Sequence, residues 1–518
     1  MHTSETEAKT ATEYESVLFN TDSIMTVDII MDEDEWQDFL DNAANEEYYR
    51  CDVIVNGETF RNVGIRAKGN TSLSNIAKDD TTDRYSIKIE FDKYVTGQTC
   101  HGLDKLILNN SYADSTNMKE ALIYDMFAYL SADASLYNYS KLSVNGEYFG
   151  LYIALEAVEE SFLTRNYGTL DGKLYKPENM DGSSRPSGQE GENHMPGQAP
   201  PEFGGENHTP GQAPGESDGK PPARSQEDNS QQEGQDSQKE NRMQGPGNGG
   251  PGGRDNGGSD LNYSDDDLDS YSSIWEGAVN DSSSTDHRRV VAALKAISEG
   301  NTEDIEKYMD VDNILKYMAV HEFAVNADSL SGNMAHNYYL YEYGGQVNII
   351  PWDYNLAFGG MGGGMGGDKG GMGDRNNDGD RSNKGATSTV NDPIDDSWDS
   401  TSFFDVLLEN EEYSKRYHEY LQMLVDYVEG GRYEELTKRI HSQIDDLVKS
   451  DPTAFYTYDE YTDACSALDE VVSLRAKSIK GQLDGTIPST AEGQKDDSSC
   501  LIDASDIDTS VMGTMNMK

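Results

Sequence analysis

The sequence of 518 residues predicts an α+β fold with a β-rich N-terminal lobe and a mostly helical C-terminal lobe. Three observations lead to this prediction. Alternating apolar residues and two Asn-Gly turns dominate the first third, helical periodicity dominates residues 399–485, and two low-complexity tracts interrupt the chain. The length is sufficient for two or three packed units.

Composition changes divide the chain into seven predicted segments. They are a flexible leader (1–16), the N-terminal lobe (17–176), a disordered Gly/Pro/Gln-rich insertion (177–260), the C-terminal lobe with its loop and hairpin (261–358), a disordered Gly/Met-rich insertion (359–398), C-terminal helices (399–485) and a polar tail (486–518). The two tracts cannot bury enough apolar surface to offset chain entropy. Because loop-closure entropy grows slowly with length, we interpret them as insertions into one globular body.

The front of the chain predicts strands before helices. "VDIIMDEDEWQDFL" indicates a strand and a short amphipathic helix, and "YRCDVIVNGETFRNVGIRAKGN" indicates two strands joined at Asn56-Gly57, ending in a polar loop. "RYSIKIEFD" alternates, with Ile87 and Ile89 on one face and Lys88 on the other. The next helix, "STNMKEALIYDMFAYL", carries Glu120 in its first turns, and two strands joined at Asn145-Gly146 follow.

This order of elements resembles the small lobe of a protein kinase. There, a strand Lys neutralises phosphate and a helix Glu holds that Lys; Lys88 and Glu120 take these positions here. Glu156 would lie near the adenine pocket, where the last strand passes into the crossover. The plain alternative is that Lys88 is a solvated edge residue and Glu120 a solvated helix charge.

The second half places polar residues at both ends of a hairpin. "VDNILKYMAVHEFAVNAD" predicts a helix that delivers Asp328, and Asn333 follows five residues later. A hairpin turning at Gly344-Gly345 returns the chain to Asp353, which can then meet Asn333 at one magnesium site. Asp328 would orient the acceptor hydroxyl or accept its proton. The alternative is that Asp328 caps a helix end and Asp353 closes a turn.

The charge of the chain restricts its partners. Its 95 acidic and 41 basic residues give a net charge of −54. Such a field disfavours nucleic acid and anionic membranes and favours cationic partners and metal ions, although solubility alone also explains it. No apolar run reaches the ~18–20 residues that span a bilayer. The polar start has no signal-peptide apolar region, so we expect either a cytoplasmic protein or a leader outside this sequence.

The cysteines and one acidic segment bear on disulfide formation and calcium binding. Cys51, Cys100, Cys465 and Cys500 show no CxxC spacing, so free thiols are expected, with a Cys51–Cys100 disulfide left open. The segment 374–380 imitates the start of a calcium loop. Gly385 stands where such a loop requires its final Glu, and no helical pattern precedes it, which argues against a calcium site.

Several blocks of the sequence resemble the spore-coat kinase (CotH) family. The matching blocks are "GIRAKGNTS", "YSIKIEFD", "MKEALIYDMF", "VNGEYFGLYIALEAVEESFL", "DGKLYKPE", "DSLSGNMAHNYYLY" and "IIPWDYNLAFG". The resemblance covers about residues 17–180 and 261–485. The resemblance implies a protein-kinase-like two-lobed fold that uses ATP and Mg²⁺, with long disordered insertions as a departure from a minimal member.

The resemblance also implies roles for individual residues. Asp328, Lys88 and Glu120 are the expected catalytic residues. The expected ATP-binding residues are Arg66, Lys68, Asn70, Ser72, Lys88, Glu156 and Lys176, with Lys68 and Arg66 as competitors of Lys88. The expected metal ligands are Asp353, Asn333 and Asn337. His336 either contacts ligand or packs beside the hairpin.

The resemblance leaves the acceptor and the location open. Its first implication is an ATP-dependent kinase acting on Ser/Thr of a cationic, Ser-rich coat or surface protein. The alternative is a non-catalytic surface or spore-coat adhesion protein that retains the fold. A small-molecule or glycan kinase is a third interpretation, because a fold does not fix its acceptor. Location outside the cytoplasm or in the spore coat is expected.

Overall fold

Seven strands from the N-terminal part of the chain close into a barrel. The computed structural model describes residues 12–177, 257–300, 304–332, 334–360, 381–398 and 400–515, which all belong to one compact unit. The strands are β1 (Met25–Ile30), β2 (Tyr49–Val55), β3 (Glu58–Lys68), β4 (Ser86–Glu90), β5 (Lys105–Asn109), β6 (Tyr137–Val144) and β7 (Glu147–Glu156). Their order is β1-β2-β3-β4-β5-β7-β6, and a parallel β1–β6 pairing closes the barrel.

Alternation along the strands separates the barrel interior from its outer face. Ile65, Ala67 and Ile87 are at most 1% exposed and belong to the hydrophobic cluster inside the barrel. Successive side chains of a strand point to opposite faces, so Lys68 and Lys88 lie on the outer face. The predicted alternation of "RYSIKIEFD" is therefore confirmed.

The two Asn-Gly pairs form the predicted hairpin turns. Asn56 and Gly57 have φ angles of 48° and 86°, and Asn145 and Gly146 have φ angles of 51° and 84°. Two consecutive residues with positive φ make the tight turn whose twist suits antiparallel strands, and Asn-Gly tolerates this geometry best. The turns join β2 to β3 and β6 to β7.

Five helices accompany the barrel. They are α1 (Glu13–Val17), α2 (Glu33–Asp41), α3 (Thr71–Ile76), α4 (Lys119–Tyr129) and α5 (Glu160–Tyr167), with a 3₁₀ turn at Ala43–Asn45. The segment of α3 was expected to be a polar loop. It is helical because Leu73 and Ile76, three residues apart, are both buried on one side and pack with the barrel cluster.

The rest of the chain combines a small sheet with many helices. Strands β8 (Lys173–Tyr175), β9 (Tyr338–Tyr343) and β10 (Gln346–Pro351) form an antiparallel sheet in the order β10-β9-β8. The helices are α6 (Ser272–Glu276), α7 (Ser284–Ser298), α8 (Val311–Ala324), α9 (Arg381–Val390), α10 (Asp405–Leu408), α11 (Glu411–Glu429), α12 (Arg432–Ser450), α13 (Tyr458–Asp484) and α14 (Ala491–Asp496). Short 3₁₀ turns occur at Leu268–Tyr271, Ile305–Lys307, Ser498–Cys500 and Thr509–Met512.

A second hydrophobic cluster joins the outside of the barrel to the helical region. It contains the buried residues of α4, α8, the β9–β10 hairpin, α11 and α13. Helix α4 is buried along nearly its whole length, which explains why its sequence is apolar on more than one face. The β-rich N-terminal region and the helical C-terminal region confirm the predicted α+β class.

Some segments with low-complexity composition are ordered where the structure describes them. Ala386, Val390 and Ile394, inside the predicted Gly/Met-rich insertion, are at most 2% exposed, and the first two lie on α9. Their four-residue spacing gives α9 an apolar stripe that the surrounding Gly-rich sequence obscures. Residues 178–256 of the first predicted insertion and 361–380 of the second, including the calcium-like segment 374–380, lie outside the described residues.

The ends of the described chain pack against the fold. Tyr14, within the predicted leader, is 1% exposed, and Met512, within the predicted polar tail, is fully buried. The backbone N–H of Ser115 donates to the carbonyl of Met512 at 3.3 Å. Single large side chains thus anchor segments whose overall composition is polar.

Two further expectations concern a Cys51–Cys100 disulfide and segments that could span a membrane. All four cysteines are free thiols, so Cys51 and Cys100 do not form a disulfide. Burial raises the pKa of both thiols to about 12, which keeps them protonated and unreactive. Within the described ranges, no helix is both long and apolar enough to cross a membrane.

Candidate active site

Asn326 connects the loop after α8 to the end of the β9–β10 hairpin. Its Oδ1 accepts from the backbone N–H of Asp328 at 3.3 Å, and its Nδ2 donates to the carbonyl of Asp353 at 3.2 Å. Asn326 is 2% exposed. A buried amide that bonds both backbones fixes the loop against the hairpin, so Asp328 and Asp353 are held close together, as the sequence predicts.

The buried His321 of α8 contacts side chains of the same loop and of the segment after the hairpin. His321 Nδ1 lies 3.2 Å from the hydroxyl of Tyr354, and His321 Nε2 lies 2.7 Å from Ser331 Oγ and 3.2 Å from Ser329 Oγ. Burial lowers the pKa of His321 to about 3, so the ring is neutral at physiological pH. The histidine therefore acts as a fixed hydrogen-bonding support for the loop.

This support predicts a measurable pH dependence of stability. The unfolded chain protonates His321 near pH 6.5, whereas the folded chain does so only near pH 3, so the free energy of unfolding falls as the pH drops. For a change from pH 8 to pH 5 we expect this histidine to contribute a loss of about 2 kcal/mol. Urea unfolding of the His321→Gln variant should show a correspondingly smaller pH dependence than that of wild type. Equal pH dependence in wild type and His321→Gln would contradict this role.

The carboxylate of Asp328 is oriented by its neighbours. Asn337 Nδ2 donates to Asp328 Oδ2 at 3.1 Å and to the Asp328 carbonyl at 2.8 Å. His336 Nε2 lies 2.8 Å from Asp328 Oδ1 without hydrogen-bond geometry, so this oxygen has no hydrogen-bond donor among the described residues. One oxygen is thus held by Asn337, and the other lies beside the imidazole of His336.

Gly332 makes the turn of this loop possible. A Cβ at position 332 would lie 1.8 Å from the carbonyl oxygen of Ala327. We expect Gly332→Ala to lower the free energy of unfolding by about 2 kcal/mol, because the clash is with backbone and cannot be relieved by a rotamer change. The matched control is Gly385→Ala on α9, where the nearest atom would be 3.8 Å away. Equal urea midpoints for both variants would contradict this requirement.

On the barrel side, a lysine and a glutamate are joined through an asparagine. Lys68 Nζ donates to Asn109 Oδ1 at 2.7 Å, and Asn109 Nδ2 donates to the two carboxylate oxygens of Glu120 at 3.0 and 3.2 Å. Lys68 Nζ also lies 5.3 Å from the centre of the Trp352 ring. The flexible lysine stem is thereby fixed next to the residue that precedes Asp353.

The charges of these groups act on one another. Burial, together with the charge of Asp353, raises the pKa of Glu120 to about 8. Burial lowers the pKa of Lys68 to about 8, against the opposing charges of Asp353 and Glu120. Burial raises the pKa of Asp353, the charge of Asp328 raises it further, and the charges of Lys68 and Lys176 oppose the shift. Lys68, Glu120, Asp328 and Asp353 therefore form one electrostatic unit.

The chain matches a family of known proteins over most of its length. Residues 65–479, well over half of the chain, match the family described as CotH kinase protein. The chain belongs to the CotH kinase protein family. A comparison with curated proteins found no match. The match contains every residue of the electrostatic unit, and the resemblance inferred from the sequence is confirmed.

Lys88 of this CotH family member lies away from Glu120. It forms an ion pair with Glu159, whose other oxygen lies 2.6 Å from Lys105 Nζ. Burial alone would raise the pKa of Glu159, but the two lysines outweigh burial and hold it below its usual value. Lys68, and not the predicted Lys88, is thus the lysine grouped with Glu120.

Strand register explains the difference between the two lysines. Arg66 is paired with Lys88, and Lys68 with Ser86, on adjacent strands β3 and β4. Lys68 lies at the end of β3, two residues beyond Arg66, or roughly 7 Å further along the strand. The residue pattern identifies the outer face of the barrel, but only the register tells which lysine reaches α4.

Arg66 and Glu156, also predicted to contact ATP, are bound to other protein groups. Arg66 pairs with Glu46, although its charge is felt by Lys68. Glu156 is fully buried and accepts from the hydroxyl of Tyr14 at 2.6 Å and from Arg165 at 2.6 and 3.0 Å. These contacts give Glu156 a structural role between β7 and the helices α1 and α5.

The remaining predicted residues differ in their relation to the site. Lys176, just after β8, is close enough for its charge to act on both Lys68 and Asp353. Asn70 is exposed immediately before α3, and Ser72 is half-buried on α3. Asn337 holds Asp328 through its amide nitrogen. Asn333 lies outside the described residues.

Sequence reasoning missed three residues of the site. Asn109 is the last residue of β5, and in the sequence this strand is marked by the apolar run in "KLILNN". Trp352 was visible as the residue before Asp353, and Asn326 as a polar residue directly after the apolar helix. Trp352 and Asn326 could have been found from their positions beside Asp353 and near Asp328, whereas nothing in the local sequence marks Asn109. For none of the three does the local sequence indicate what the side chain contacts.

Proposed function

We propose that this chain is an ATP- and Mg²⁺-dependent protein kinase, in which the barrel and the helical region act as the two lobes of a kinase-like fold. One observation carries the proposal. The Lys68–Asn109–Glu120 chain from the barrel converges with Asp328 and Asp353 from the loop and hairpin in a single electrostatic unit. A fixed lysine facing two carboxylates is the arrangement that phosphoryl transfer requires.

The donor set suits a magnesium ion that is shared with phosphates. Asp328 is buried and Asp353 is half-buried, and their charges act unfavourably on each other. Asp328 Oδ1 lies 2.8 Å from His336 Nε2 and has no hydrogen-bond donor among the described residues. Within that part of the chain, no group of three or more His, Cys, Asp or Glu could hold a metal by itself. Mg²⁺ commonly uses one or two carboxylates and completes its coordination with water and substrate phosphates. Mg²⁺, when bound, would neutralise phosphate charge, and Asp353 and Asn337 are the residues proposed to hold it.

Each residue of the electrostatic unit then has a role in the transfer. Lys68 Nζ would neutralise a phosphate oxygen, and Asn109 and Glu120 keep that ammonium in place. Asp328 would accept the proton of the acceptor hydroxyl while that oxygen forms its bond to the γ-phosphorus. The bond between the γ-phosphorus and the oxygen of the departing ADP breaks in the same step. Asn337 and Asn326 hold Asp328 in the position that this proton transfer needs.

The charge of the chain favours a basic acceptor. With a net charge of −54, the protein attracts cationic proteins and repels acidic ones. We therefore propose Ser or Thr residues of a cationic, Ser-rich coat or surface protein as the acceptor. A hydroxyl is required because Asp328 is placed to remove a proton from the attacking oxygen.

The direct test is transfer of radiolabelled γ-phosphate to a Lys- and Ser-rich peptide. The purified protein should label the peptide with ATP and Mg²⁺, and EDTA should abolish the labelling. A peptide with Glu in place of every Lys should be labelled much more slowly. Absence of labelling of both the peptide and the protein itself would contradict the kinase proposal, and equal labelling of both peptides would contradict the cationic acceptor.

A further inference from the structure

An open cavity lies at the turn end of the β9–β10 hairpin. Its volume is about 300 Å³, and it is lined by residues from the hairpin, the N-terminus of α8 and the segment from α5 to β8. Asn348, which lines it, is separated from Asp353 by five residues, roughly 17 Å of extended chain. The cavity is therefore distinct from the candidate active site at the other end of the hairpin.

Aromatic rings form much of the cavity wall. Tyr167 and Tyr341 stack with ring centres 4.0 Å apart and an interplanar angle of 7°, and Tyr343 beside them is 53% exposed. The hydroxyl of Tyr167 accepts from Asn348 Nδ2 at 3.1 Å, which fixes the ring pair. Tyr341 is 4% exposed, and its hydroxyl has no hydrogen-bond partner among the described residues. This hydroxyl is enclosed and packs against Gly172, so the exposed ring of Tyr343 is the part of the wall that a ligand would contact first.

The charge around the cavity is negative. Asp310 lines it, and none of the lining residues is Lys, Arg or His. Burial raises the pKa of Asp310, and the charges of Asp133 and Asp312 raise it further, against the backbone N–H of Asn313 and the charge of Lys316. Asp133 and Asp171 also act on Tyr341. Ring faces next to partly desolvated carboxylates form an environment that attracts an organic cation.

We infer that this cavity binds the guanidinium or ammonium group of an Arg or Lys side chain presented by a partner protein. A planar guanidinium stacks on tyrosine and donates to a carboxylate at the same time, which matches a wall of tyrosines beside Asp310. The net charge of −54 brings basic proteins to this surface. The exposed ring of Tyr343 at the cavity edge gives such a side chain its first contact. The inference concerns binding and does not depend on phosphoryl transfer.

Two substitutions test the cavity with little risk to the fold. Asp310→Asn removes the charge, but it retains the side-chain oxygen that accepts from the N–H of Asn313 and caps α8. Tyr343→Ala removes an exposed ring beside the Gly344-Gly345 turn. Asp463→Asn, exposed on α13, is the matched charge control.

The experiment measures binding of a fluorescent hexapeptide containing two arginines to the full chain. We expect Asp310→Asn and Tyr343→Ala each to weaken binding by about tenfold, the effect of one charge-assisted contact, and Asp463→Asn to leave it unchanged. The same peptide with citrulline, which is neutral, should not bind measurably. Equal affinity of all four proteins, or of the citrulline peptide, would overturn the inference.

A competing cation distinguishes the source of the ligand. Spermidine should displace the arginine peptide only at concentrations far above those of the peptide if the site is built for a protein side chain. Spermidine binding that is tighter than peptide binding and lost in Asp310→Asn would overturn the protein partner in favour of a free polyamine. Neither cavity variant should change the stabilisation by ATP and Mg²⁺, so the result is separate from that of the kinase proposal.

Discussion

The Lys68→Met variant is expected to lose at least about 100-fold of the phosphoryl-transfer rate, whereas Lys88→Met should stay within about threefold of wild type. Lys68 Nζ is fixed by Asn109 and lies next to Asp353, where a phosphate would meet it. Removing a positioned cation from a buried site also removes the charge that stabilises the transferring group. Lys88 is bound to Glu159, and its loss leaves that carboxylate paired with Lys105.

The two lysines form a matched pair for this experiment. Both lie on the outer face of adjacent strands, and both replacements remove one charge and retain the length of the side chain. Initial rates of peptide labelling should be compared at saturating ATP and Mg²⁺, with urea unfolding to verify that both variants are folded. The assignment is wrong if Lys88→Met loses activity while Lys68→Met keeps it.

The Asp328→Asn variant is expected to lose about a thousandfold of the transfer rate while it still binds ATP. An amide keeps the shape of the carboxylate but cannot accept the hydroxyl proton. Asn337 would still donate to the side-chain oxygen and to the carbonyl of residue 328, so the loop should retain its geometry. The measured loss should therefore lie in kcat rather than in ATP affinity.

Asp463→Asn, an exposed carboxylate on α13 outside the site, is a suitable control. Single-turnover labelling separates the chemical step from release of product. A variant Asp328→Asn that labels its peptide at the wild-type rate would remove the proton-accepting role. A variant that loses ATP binding as well as transfer would instead assign Asp328 to the metal.

Local patterns in the sequence predicted that Asp328 and Asp353 lie close together. The two residues lie at the two ends of a loop–hairpin unit, and a hairpin returns its end to its start whatever the rest of the fold does. Their proximity therefore follows from neighbouring residues. The support from His321 was not predicted, because its partners Ser329, Ser331 and Tyr354 become neighbours only when the loop folds back on α8.

The barrel half of the site depends on long-range pairing. The choice between Lys68 and Lys88 requires the register of β3 against β4 and the position of α4, neither of which a residue pattern contains. Glu156 illustrates the same limit, since its partner Tyr14 lies 142 residues earlier in the chain. Helix α9 was missed for a different reason. Its apolar residues are surrounded by Gly-rich sequence, and that composition led to a prediction of disorder.

Thermal unfolding with ATP and Mg²⁺, in wild type and in Asp353→Asn, tests for a metal-dependent ATP site at Asp353. A ligand that binds only the folded state stabilises it, by about 2.7 kcal/mol when present at 100 times its Kd. We expect a rise in Tm for wild type that requires both ATP and Mg²⁺, disappears with EDTA and is absent in Asp353→Asn. An unchanged Tm in wild type, or an equal rise in the variant, would contradict a metal-dependent ATP site at Asp353.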